Sequence, residues 1–104
     1  MSRRRRYRIE YTDQAVEHLR GLGAHQRAAV LDSVEVQLAH EPTVPTRNRK
    51  LLRANPVAPW ELRIGTMRVY FDVVEVPRAV VTVRAVGIKV RERIRIGRVE
   101  IDLG

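Results

Sequence analysis

The sequence predicts an α+β domain in which a pair of helices covers one face of an antiparallel sheet. Three observations predict it. Apolar residues recur at helical spacing between about residues 13 and 41. They alternate with polar ones at 7–12 and again from Pro59 onward. The stretch WELRIGTMRVYFDV (60–73) reads as a hairpin folded at Gly65-Thr66. With 104 residues, 44% of them hydrophobic, the chain suits a single domain over residues 1–104 with one core. No repeat or composition break marks a second.

The elements follow in order. MSRRRRYR opens with a basic arm, residues 1–6, expected to be disordered on its own. No apolar segment follows it, so a secretory signal is not expected. No apolar run approaches the ~20 residues of a membrane helix. YRIEYT (7–12) places Tyr7, Ile9 and Tyr11 on one side and Arg8, Glu10 and Thr12 on the other, as a half-buried strand does. Thr12 or Asp13 caps a first helix carrying Ala15, Val16, Leu19 and Leu22. A second runs from about Ala24 to Glu41 with a stripe of Ala28, Leu31, Val34 and Leu38, Val30 alongside, and Pro42 to stop it. The link at Gly21–Gly23 is short enough to make the helices an antiparallel hairpin. Residues 42–58 hold three of the five prolines and read as a long charged loop bearing Arg47, Arg49, Lys50 and Arg53.

Counting outward from a type II′ turn at Gly65-Thr66 pairs Ile64 with Met67, Leu62 with Val69 and Trp60 with Phe71 on one face. Trp60 is thus a core anchor. The other face pairs Arg63 with Arg68 and Glu61 with Tyr70. A three-residue loop, Pro77-Arg78-Ala79, then sets Val73 against Val83, Phe71 against Ala85 and Asp72 against Arg84. The uncovered face would carry Glu61, Arg63, Arg68, Tyr70, Asp72, Thr82 and Arg84. The tail RERIRIGRVEIDLG alternates Arg and Ile at 93–96, a short edge strand. That edge, or an apolar groove beside it, is expected to accept a segment of a partner.

A net charge of +8, with Arg far outnumbering Lys, points to a polyanionic partner or to a solvated basic surface. Opposed arginines cost a sheet up to about 1 kcal/mol. Either Glu61 and solvent relieve Arg63 and Arg68, or two guanidinium forks converge on a phosphate. The chain has no cysteine, so it has neither a disulfide frame nor thiolate chemistry, and it suits a reducing cytoplasm. His18, His25 and His40 lack metal-ligand spacing, and no phosphate-cradling glycine loop is recognisable. No metal or cofactor is expected.

Across nearly its whole length the chain resembles the RelE/ParE superfamily of toxins from type II toxin–antitoxin modules. The likeness rests on YRIEYT with DQAVEHLRGL, on the Trp-x-x-Arg-hydrophobic-Gly segment with its following Arg-Val-Tyr strand, and on VVTVRAVGIKVRERIRIG. The resemblance implies a β-α-α-β-β-β order, with a four-stranded antiparallel sheet and a two-helix hairpin on one face. It implies a cytoplasmic protein in a hetero-oligomer with an acidic or amphipathic antitoxin. RelE-like members enter the ribosome and cleave mRNA; ParE-like members poison DNA gyrase and are not nucleases.

By that resemblance Arg68 is the strand arginine of the RNA cutters, and Lys89 their basic residue after the last strand's glycine, here Gly87. Many cutters add a C-terminal Tyr or His, and here none follows Phe71. Two lysines of well-known cutters fall at about Pro59 and Glu61. The expected activity is a metal-independent endoribonuclease, an mRNA interferase, in which the ribose 2′-OH attacks the adjacent phosphorus. Arg68, with Arg63 or Lys89, would stabilise the phosphorane, and Glu61 would be the general base or an ion-pair partner holding both arginines. Tyr70 would stack a base or cover the sheet. Arg47, Arg49, Lys50, Arg53, Arg84 and Arg91 are the expected RNA-binding set, with the Arg3–Arg6 arm touching RNA non-specifically. A gyrase inhibitor and a non-toxic nucleic-acid-binding protein are the alternatives.

Overall fold

The computed structural model describes residues 5–101. The elements are β1 (Arg8–Tyr11), α1 (Asp13–Arg20), α2 (Ala24–Leu38), β2 (Arg49–Leu51), β3 (Trp60–Ile64), β4 (Met67–Val74), β5 (Val80–Val90), β6 (Arg93–Ile96) and β7 (Val99–Ile101). They form one seven-stranded sheet in the order β2-β3-β4-β5-β6-β7, with β1 against β5. The sheet therefore has more strands than the expected four. β1 also runs parallel to β5, since the chain crosses the helical layer before it returns to the sheet. No described helix is long and apolar enough to cross a membrane.

The Thr12 hydroxyl accepts from the Ala15 N–H at 3.1 Å and starts α1. α2 stops at Leu38, short of the expected Glu41, which adopts a left-handed φ of 51°. Its buried line is Val30, Val34 and Leu38, while the expected Ala28 and Leu31 are exposed. At roughly 100° per residue, Leu31 sits a quarter turn off that line and Ala28 on the far side. These helices cover Leu62, Val69, Phe71, Val81, Val83 and Val86. Trp60 stacks on Phe71 with ring centroids 6.1 Å apart, as a core anchor does. Of the basic arm, Arg3 and Arg4 lie outside the described residues. Arg5 donates to the Glu75 carboxylate and carbonyl at 3.2 and 3.0 Å, and Arg6 pairs with Glu35.

All five β3–β4 pairs stand in the expected register. Gly65 has φ 59° while Thr66 stays at negative φ, the type II′ pattern. The β4–β5 register differs from expectation. Val74 pairs with Val80 and Phe71 with Val83, so the loop spans residues 75–79; beyond a bulge, Tyr70 pairs with Ala85 and Met67 with Ile88. Arg84 is the extra residue. Unbroken alternation from Val81 and Val83 would have sent Ala85, Gly87 and Lys89 into the core. The bulge reverses the parity, so Val86 and Ile88 go in instead. Ala85 then joins Ala58, Tyr70 and Ile96 in a second apolar cluster on the opposite face, which the sequence reading did not foresee.

Candidate phosphate-binding face

The face away from the helices is built in rows. Lys50, Glu61, Tyr70 and Ala85 lie side by side across β2 to β5, and Arg63, Arg68, Gly87 and Ile96 form the next row across β3 to β6. The opposed arginines diverge in their bonding. Arg63 donates its Nε to Glu61 Oε1 at 3.2 Å and remains about half exposed. Arg68 turns back on the hairpin, and its Nη1 donates to the Gly65 and Met67 carbonyls at 2.7 and 2.9 Å. Its relative exposure is 6%. Among the described residues every buried side-chain nitrogen or oxygen has a partner, so Arg68 Nε and Nη2, which have none, reach the surface.

Glu61 is 4% exposed and Tyr70 fully buried. The Tyr70 hydroxyl donates to Glu61 Oε2 at 3.0 Å, so both carboxylate oxygens are engaged. Burial first, and the Glu61 charge second, push the Tyr70 phenol far above its usual value. Tyr70 covers the sheet and cannot stack a base. Lys89 is exposed, and its backbone N–H donates to the Thr66 carbonyl at 2.7 Å, which puts its side chain beside the hairpin turn on the Arg68 face. The structure thus brings Arg63, Arg68, Glu61 and Lys89 onto one face, with Lys50 exposed beside Glu61.

The remaining basic residues are scattered. Arg49 requires a correction: it is 7% exposed, with Nε on the Val44 carbonyl at 2.8 Å and Nη1 on the Gln37 carbonyl. It closes the end of α2 and is not free to grip RNA. Arg47 lies exposed just before β2 and Arg91 at the β5–β6 turn with φ 58°, three strands apart in the sheet. Arg84 reaches Asp72 at 3.2 Å from the bulge, and both line a cleft of about 320 Å³ with Arg53. Asn55 orders that loop by bonding the Arg53 and Ala58 carbonyls and the Val57 and Ala58 N–H groups. The Asn-Pro dipeptide at 55–56 is the signal that could have located this turn. Among the described residues no three His, Cys, Asp or Glu side chains come together to hold a metal ion.

No protein-family model matches the sequence, and no curated protein does. A solved structure does match: the toxin–antitoxin complex RelBE2 from Mycobacterium tuberculosis. The TM-score is 0.70 at 25% identity, covering 81% of this chain and 92% of that one. The fold is that of the RelE/ParE superfamily of toxins, as the sequence motifs imply. Within that class, this chain is similar to the RelE-type toxin of the mycobacterial complex.

Proposed function

We propose that this chain is the toxin of a type II toxin–antitoxin module and stops translation by cutting mRNA on the ribosome. The observation that carries the reading is the posture of Arg68. One nitrogen is pinned to two carbonyls, on the face that also carries Arg63, Lys50 and Lys89. A guanidinium held in advance stabilises charge developing on a phosphorane without reorganising. The substrate brings its own nucleophile: the 2′-OH passes its proton to solvent water as it attacks phosphorus, a 2′,3′-cyclic phosphate forms and the 5′-oxygen leaves. Alignment supplies much of such a rate. Lys89 adds positive charge and has an ammonium proton to give the leaving oxygen. Glu61, enclosed by Arg63 and Tyr70, is a positioning residue that aims Arg63. Lys50, Arg53, Arg84, Arg47 and Arg91 attract the RNA backbone around this centre. The partner antitoxin is acidic or amphipathic and neutralises the face, and the toxin works where ribosomes are, in the cytoplasm.

A second reading, gyrase inhibition, is favoured by one observation: Tyr70, the tyrosine on this face, is buried, and no His or Tyr follows Phe71. Growth assays separate the two. Under the nuclease reading, induced wild-type chain arrests protein synthesis before DNA synthesis, and Arg68→Ala grows normally. Arrest of DNA synthesis first, with Arg68→Ala as toxic as the wild type, would favour gyrase.

A further inference from the structure

One edge of β5 is shared end to end. β1 pairs with Val80–Val83 and β6 with Gly87–Val90, so residues 84–86 have no strand beside them on that edge. Their backbone groups still need partners, and α1 with its cap supplies them. The Thr12 N–H donates to the Val83 carbonyl at 3.0 Å, and the Thr12 hydroxyl donates to the Arg84 carbonyl at 3.1 Å. The Val86 N–H donates to Nδ1 of His18 at 3.2 Å. The far edge of the same ring lies against the β6–β7 turn: a Cβ placed on Gly97 would sit 3.5 Å from His18 Cδ2 and 3.7 Å from Nε2. His18 therefore joins α1, β5 and the β6–β7 hairpin. Clefts of about 540 and 110 Å³ open on the ring, so a proton can reach it.

We propose that His18 is a proton-sensitive latch: its neutral ring closes the gap in the β5 edge, and protonation opens that gap between α1 and β5. An imidazolium carries N–H on both nitrogens, so Nδ1 can no longer accept and instead faces the Val86 N–H. The charged groups sharing its clefts are Asp13 and Glu17 of α1, Arg84 of β5 and Arg95 of β6. Glu17 holds Arg20 at 2.9 Å and Arg84 holds Asp72 at 3.2 Å, so neither sign dominates at the ring. Burial holds the imidazole below its ordinary value. The folded chain then binds fewer protons here than the unfolded chain once pH falls below about 6.5, so the latch is fully closed above that pH and weakens below it. Val86 adjoins Gly87, the cross-strand partner of Arg68, against which Ile94 and Ile96 pack. Acid therefore loosens one flank of the phosphate face. This inference does not depend on what the face binds.

The test is NMR of the full chain between pH 5 and 8, reading the His18 ring nitrogens and the hydrogen-exchange protection of Val86 corrected for intrinsic rate. At pH 7.5 the proton should reside on Nε2. Val86 protection should fall by up to about tenfold as the ring titrates, the worth of one hydrogen bond. Amides pairing β1 with β5 should hold steady. His18→Asn, which keeps an acceptor near the Nδ1 position without titrating, should abolish the pH dependence of Val86. A proton on Nδ1 at pH 7.5 would overturn the proposal, and that reading needs no variant to fold. Equal Val86 protection at pH 5 and 8, or the same acid loss in His18→Asn, would overturn it as well.

Discussion

Arg68 and Glu61 show how one face holds two arginines side by side without self-repulsion deciding the outcome. A carboxylate takes one guanidinium and the hairpin's own carbonyls take the other. Each side chain therefore carries a distinct signature. Arg68→Ala should lower single-turnover cleavage by ~10²–10³, the usual cost of losing one transition-state donor. Tyr70→Phe should behave differently, because a fully buried ring cannot touch RNA. It leaves Glu61 Oε2 without its donor and should cost about 1–3 kcal/mol in urea unfolding, with cleavage by the folded fraction retained. The Arg63–Arg68 pairing was legible in the sequence, because a Gly at the turn and apolar matches on the far face admit one register. The direction of each guanidinium was not. It depends on whether a turn carbonyl or a carboxylate lies nearer, and neither spacing nor alternation encodes that.

Element boundaries and parity depend on contacts the local pattern does not contain. α2 runs on in the sequence pattern to Glu41, yet it ends at Leu38, where Arg49 from the far side of the 39–48 segment takes the Gln37 carbonyl. Arg49→Met should therefore destabilise the fold by roughly 1–3 kcal/mol in thermal unfolding, since two part-buried carbonyls lose the donor that closes the end of α2, while RNA affinity of the folded protein stays near wild type. β5 shows the second limit. The string VVTVRAVGIKV contains both an alternating Val set and a displaced Val86–Ile88 pair, and only a bulge at Arg84 serves both. Sequence patterning assumed one parity and placed Ala85 on the wrong face. Gly87 is where β5 meets β6 most tightly. A Cβ there would lie 2.9 Å from both the Arg95 carbonyl oxygen and Ile96 Cγ1. Gly87→Ala should cost about 1–3 kcal/mol, because backbone rather than a flexible tip must move.

Across the molecule, a charge of +8 surrounds a small buried polar centre, and the two make separable contributions. Binding of single-stranded RNA should weaken steeply with salt. If Arg63, Arg68, Lys50 and Lys89 each meet a phosphate, the log–log slope should be about −3, and Lys50→Ala should make it shallower by about 0.7. The class of fold was legible because helical and strand periodicities occupy separate stretches of the chain. The added β2 and β7, and the parallel β1, were less so: three-residue strands carry almost no periodic signal, and strand direction is set by what the chain crosses between. The central claim is that this face cuts ribosome-bound mRNA through Arg68. Primer extension on mRNA from a cell-free translation reaction tests it most directly. The account predicts breaks inside ribosome-occupied codons that vanish with Arg68→Ala. Intact mRNA, at doses of wild-type chain that still arrest growth, would contradict it.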